Sequence, residues 1–146
     1  MAAPAYTWQF DCDLYGTRVP IVTTLEATSN LETKVGTALI MSSGQVDEAT
    51  ASVVLFLGLA AEETAAAATA GDPIKVYLIA PGMVIKGTAD ADASAAAGFN
   101  GKTYDFNSDG SLDVADSSAG CLSVWRTEDA GLTVYCVVNS QLMATC

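Results

Sequence analysis

The sequence predicts a mainly β chain: a small β-sandwich or barrel with one or two short helices and an extended N-terminal arm. Three observations carry this. About eight short runs rich in β-branched and aromatic residues recur between clusters of Gly, Pro, Asn, Asp and Ser. The opening residues alternate apolar and polar with a period of two. Two alanine-rich stretches, residues 60–70 and 88–98, hold too few large apolar side chains to anchor a core helix.

The first run places Tyr6, Trp8, Phe10, Cys12 and Leu14 on one face of a strand, with Thr7, Gln9, Asp11 and Asp13 on the other. Pro4 and Pro20 bracket it, so residues 1–17 read either as an arm that packs on a neighbouring subunit or as an edge strand of the chain's own sheet. Residues 18–146 read as a single β-rich domain. Within it, VPIVTTL is a second extended segment, TSNLETKVG a loop, ALIM a strand and Ser42-Ser43-Gly44 a turn. SVVLFLGLA is apolar on both faces and reads as a buried strand. AAEETAAAATA is a short helix or an ordered loop, stopped by Gly71-Asp72-Pro73. IKVYLI and MVIK flank Pro81-Gly82, a type II turn signal, and predict a β-hairpin.

KTYDF and SLDV flank a second turn, NSDG, and CLSVWR and LTVYCVV a third, Thr127 to Ala130. If Arg126 pairs with Gly131, Cys121 lies directly opposite Cys136, where a disulfide can form at a non-hydrogen-bonded pair. Cys12 and Cys146, near opposite termini, could bridge each other or neighbouring subunits. Buried free thiols are the alternative. None of the four cysteines forms a CxxC pair and the chain has no histidine, which argues against a zinc site.

Composition narrows the function. Net charge is −11, and the six basic residues are scattered singly, leaving no basic stripe for nucleic acid or an anionic membrane. Charged residues make up only 16%, so part of the surface is expected to be covered by neighbours. The start, MAAPAYTWQFDCD, has neither a basic nor an apolar leader region, so synthesis in the cytoplasm is expected. The apolar stretch from Val53 to Ala61 is too short to span a bilayer.

Residues 105–116, DFNSDGSLDVAD, set Asp105, Asn107, Asp109, Ser111, Asp113 and Asp116 on the EF-hand calcium-loop template, with Gly110 at the sharp turn. Strands rather than helices flank it, and the last ligand is Asp rather than Glu. An ordinary hairpin turn is the competing reading. Without histidine no Ser-His-Asp or Cys-His pair can form, and SxxK, GxGxxG and GxxxxGK are missing. A non-enzyme with no cofactor is expected.

The stretch LGLAAEETAAAATAGDPIKVYLIAPGMVIKG, residues 57–87, resembles the head decoration, or capsid cement, proteins of tailed bacteriophages. Gly58, Ala60, Ala61, Ala70, Gly71, Asp72, Ile74, Val76, Gly82 and Val84 carry the likeness, over about a fifth of the chain. The resemblance implies a β-tulip-like or small barrel domain, a homotrimer, and the major capsid protein as partner. Its location would be the outer surface of an icosahedral virion, which it would brace against internal pressure. Tyr6, Trp8, Phe10 and Leu14 would then be the capsid- or subunit-binding face. The alternative is a calcium-stabilised extracellular adhesin or surface-layer module.

Overall fold

The computed structural model describes residues 3–49, 56–65, 69–118 and 120–139. Strands dominate, as the sequence patterning predicts, and they assemble into antiparallel sheets packed as a small sandwich. The strands are β1 (Gln9–Asp13), β2 (Ile21–Glu26), β3 (Ala38–Ser42), β4 (Gln45–Glu48), β5 (Phe56–Ala60) and β6 (Pro73–Leu78). They continue with β7 (Met83–Thr88), β8 (Asp105–Phe106), β9 (Leu112–Asp113), β10 (Leu122–Glu128) and β11 (Thr133–Val138). One sheet has the order β1-β7-β11-β10, the second β2-β6-β5-β3-β4, and β8 pairs with β9 alone. Helical structure among the described residues is limited to two 3-10 turns, Ser94–Ala96 and Asp129–Gly131.

The main core lies between the two large sheets. Ile85, Val134, Cys136, Leu122 and Val124 of the four-stranded sheet meet Ala38, Phe56 and Leu59 of the other, with Phe106 and Leu112 from the β8–β9 hairpin. The five-stranded sheet also curls on itself. Ala27, just past β2, forms a bridge with Val46 of β4, and the Thr28 N–H donates to the Val46 carbonyl at 2.9 Å. The curl encloses a second core of Leu31, Leu39, Val46, Ala60, Ile74 and Val76. On the outer face of the four-stranded sheet, Val84, Tyr135 and Val137 are buried, with Cys12 and Trp125 packed against them. There the Arg126 guanidinium stacks 3.6 Å from the Tyr135 ring.

Two expectations need correction, and two readings left open are decided. First, Pro81-Gly82 makes its turn, with Gly82 at φ 87° and the Met83 N–H donating to the Ala80 carbonyl at 3.1 Å. It does not make a hairpin, because β6 and β7 belong to different sheets. The Gly82 N–H donates to Val138 and its carbonyl accepts from Leu14, so the chain is captured by β1 and β11 as it leaves the turn.

Second, Arg126 pairs with Tyr135 rather than Gly131. β10 runs on to Glu128, and a bulge between Val124 and Arg126 shifts the ladder. Cys136 therefore lies opposite Val124, and Cys121 precedes the strand. Third, Cys12, Cys121 and Cys136 are free thiols; Cys146 lies outside the described residues. Burial pushes the Cys121 and Cys136 thiols well up from the ordinary thiol value, and Cys12 is raised, again chiefly by burial. Alkylation of the native protein followed by peptide mapping should label Cys121 and Cys136 only after unfolding. Labelling of Cys136 in the folded state would contradict this packing.

Fourth, the described part of the alanine-rich stretch, residues 61–65, is not helical. Thr64 forms a bridge with Thr33, and its hydroxyl donates to the Leu31 carbonyl at 2.8 Å. These bonds fix it as an ordered loop.

Candidate functional site

The N-terminal residues form an edge of the chain's own sheet. β1 pairs antiparallel with β7, Phe10 opposite Ile85 and Cys12 opposite Val84, with a bulge at Asp11 between them. A bulge inserts one residue and so reverses which face the following side chains occupy. The single apolar face expected from Tyr6 to Leu14 is thereby divided. Trp8 and Phe10 turn to the main core, whereas Cys12 joins the outer cluster around Val84.

Trp8 is buried, and it is a core residue rather than an interface anchor. Its ring packs edge-on to Phe106, centroids 5.4 Å apart, and Phe56 stacks on the far side of Phe106 at 5.5 Å. The indole Nε1 donates to the Gly110 carbonyl at 2.7 Å. A Cβ at Gly87 would overlap the indole, so the bare backbone of β7 is what admits the ring. Tyr6 stays 41% exposed, Leu14 36%, and Phe10 is half-buried, so these four residues do not form one surface.

The acidic loop serves this arrangement. β8 and β9 form the expected hairpin, Asp105 opposite Asp113 and Phe106 opposite Leu112. At its turn, Gly110 has φ 90°, and a Cβ there would overlap the Tyr6 carbonyl. The Tyr6 N–H donates to the Asp109 carbonyl at 2.9 Å, so the turn clasps the strand that carries Trp8. The loop's polar side chains are engaged locally. Asp109 Oδ1 accepts from the Ser111 N–H and hydroxyl, and Asp113 Oδ1 from the Ala115 and Asp116 N–H groups. Asp116 accepts from Ser118, Asn107 donates to Asp90 and Ser111, and Asp105 is buried in β8. Among the described residues, no group of three or more acidic or cysteine side chains is placed to hold a metal ion.

An opening with a largely apolar lining lies between residues of the two sheets. It is a cleft of about 330 Å³. Leu59 and Tyr77, cross-strand partners in β5 and β6, form its floor. Trp8 and Phe10 form one wall, with Gln9 beside them; Val19, Pro20 and Val35 form the rim. None of its lining residues is charged. Val19 is 68% exposed and Val35 58%, and the neighbouring Ile21 and Val22 are also exposed. On a chain with net charge −11, this is a concentrated apolar surface of the kind that marks an interaction site. Leu14 looks elsewhere, into a shallow groove with Tyr15, Phe99 and Val137.

The segment leading from β1 to this rim is braced by one ion pair. Arg18 Nε and Nη2 donate to the two Asp13 carboxylate oxygens at 2.7 and 3.0 Å, and Nη2 also reaches the Pro81 carbonyl. The Arg18 guanidinium, with the Tyr15 and Arg18 amides, lowers the Asp13 carboxyl to about 2 from 3.8. A carboxyl lowered on folding contributes above its unfolded value and loses that contribution as pH falls through its folded value. The brace should therefore hold above about pH 4 and open toward pH 2. The carbon resonance of the Asp13 carboxyl should show this, titrating with a midpoint near 2. In an Arg18→Gln variant the midpoint should move up toward the ordinary value of 3.8.

The chain matches no family model and no curated protein. The cleft went unread in the sequence because its residues come from five separate segments. The one legible sign was the run Val19-Pro20-Ile21-Val22, which lacks the polar alternation of a strand with one solvated face.

Proposed function

We propose that this chain is a non-catalytic structural protein that binds a protein surface, and that the surface is the outer shell of an icosahedral phage head. In this reading it is a decoration or cement protein, a homotrimer on the virion exterior, with the major capsid protein as its partner. The observation that supports it best is the uncharged apolar cleft with its exposed rim of Val19 and Val35. A rigid, preformed apolar recess suits an apolar side chain or short segment of a partner without large ordering cost. The carboxylates of the 105–116 loop are spent on local amides, so the calcium-stabilised alternative gains no support from them.

The residues behind the family resemblance are scaffolding. Gly58 sits in β5 with its bare backbone against β6, Gly71 and Asp72 shape the turn before β6, and Gly82 carries the chain into the second sheet. In this reading the shell contact is the cleft, which none of those ten residues lines. Co-sedimentation with expanded phage heads tests the reading, together with sizing of the free protein. Shell binding and a three-fold assembly are expected; a monomer without shell affinity would overturn it. Added calcium or EDTA should leave the melting temperature unchanged.

A further inference from the structure

The cleft does not end at Trp8. A second depression adjoins it, and Trp8, Gln9 and Val35 line both. The second is completed in part by Lys86 and Thr88 of β7 and Thr133 of β11. β1 is an end strand of its sheet, and Gln9 is the cross-strand partner of Lys86, so their backbones stand about 5 Å apart. A segment laid across the edge of β1 at Gln9 meets the apolar cleft on one side and a lysine on the other.

The charge around Lys86 is out of keeping with the rest of the chain. Of the 17 acidic residues, none lines either depression, and Lys86 is the one charged residue in the two linings. The ion pairs among the described residues are Arg18–Asp13 and Arg126–Glu128, which leaves Lys86 without a carboxylate partner there. The carboxylates held against Tyr135 and Thr133 are already engaged. Glu128 accepts from Arg126 and the Tyr135 hydroxyl, and Asp129 from the Thr133 hydroxyl. Lys86 is half-buried, with its ammonium 5.4 Å from the centre of the Tyr135 ring, so the charge is held in place. Lys34, beside the rim residue Val35, is exposed and adds charge of the same sign.

We propose that Lys86 receives a carboxylate of the partner, whose contact segment carries an Asp or Glu within a few residues of the apolar side chain that fills the cleft. The proposal rests on the reading of the cleft as the protein contact and names the chemistry of what enters it. Charge selects the occupant. On a chain of net charge −11, an acidic group is repelled over most of the surface and attracted here. A single lysine matches a single carboxylate. A nucleic acid or an anionic membrane presents a run of charges and needs a basic stripe, whereas the six basic residues are scattered. The lysine therefore adds discrimination to an otherwise apolar contact: it accepts an acidic neighbour and refuses a basic one.

Zero-length cross-linking on phage heads identifies the partner residue. A carbodiimide activates a carboxylate, and an amine in contact with it displaces the urea to form an amide. Peptide mapping should find Lys86 joined to an Asp or Glu of the shell protein, with a large apolar residue close by in sequence. Lys86→Gln should bind heads roughly tenfold more weakly at low salt, and Lys86→Arg should keep most of the affinity. Raising the salt to about 0.5 M should narrow the gap between wild type and Lys86→Gln. Lys102→Gln makes the same charge change outside both depressions and should bind as wild type does. Equal binding by Lys86→Gln and wild type, or an equal loss in Lys102→Gln, overturns this proposal and leaves the cleft, which Val35→Asp tests, in place. Wild type that fails to sediment with heads overturns the shell reading and this proposal with it.

Discussion

Replacing Trp8 by alanine should cost about 3–5 kcal/mol of folding stability and lower the melting temperature by roughly 10 °C. The indole fills the space over Gly87, packs on Phe106 and satisfies the Gly110 carbonyl, so its removal opens a cavity and strips a buried acceptor at once. That is a large share of the total stability of a single domain. Thermal or urea unfolding measures it. A residue that served only to grip a neighbour would leave the unfolding midpoint in place, so an unchanged midpoint would return Trp8 to the role of interface anchor.

The second large effect should come from Gly58→Ala, about 3 kcal/mol. Gly58 lies in the middle sheet strand β5, opposite Leu39 on one side and Leu78 on the other. A Cβ there would overlap the Tyr77 carbonyl oxygen and stand 2.9 Å from the Tyr77 carbonyl carbon and 3.2 Å from the Leu78 Cα. These are backbone atoms that no rotamer change can move, so β5 and β6 must separate. Because Leu59 and Tyr77 form the cleft floor, the same substitution should also weaken binding at the cleft. Denaturant midpoints check the first effect; wild-type stability in Gly58→Ala would contradict the close approach.

What could be read in advance follows a physical divide. The turn after β3 and the β8–β9 hairpin were legible because turn residues set them: Ser43 and Gly44 have φ of 50° and 81°, and Gly110 φ 90°. The turn at Pro81-Gly82 was equally legible, but its destination was not. Turn chemistry reverses a chain locally, whereas the hydrogen bonds that capture Gly82 come from residues 14 and 138. The bulges at Asp11 and Trp125 defeated the register arguments for the same reason. Nothing in QFDCD or SVWRT marks an extra residue; the packing of the two faces decides it. The amphipathic pattern of residues 6–14 identified a face without saying whose core would receive it. Gly87 and the 107–111 turn decided that, from some 80 to 100 residues away along the chain.

Shell binding by a Val35→Asp variant tests the cleft most directly. Val35 is 58% exposed at the rim, so the substitution should change stability by less than about 0.5 kcal/mol. It would place a carboxylate beside an otherwise uncharged recess, where a partner's apolar group would have to desolvate it. Wild type should co-sediment with expanded phage heads, and Val35→Asp, folded and melting as wild type does, should remain in the supernatant. Equal binding by the two proteins would contradict the cleft as the site of shell contact.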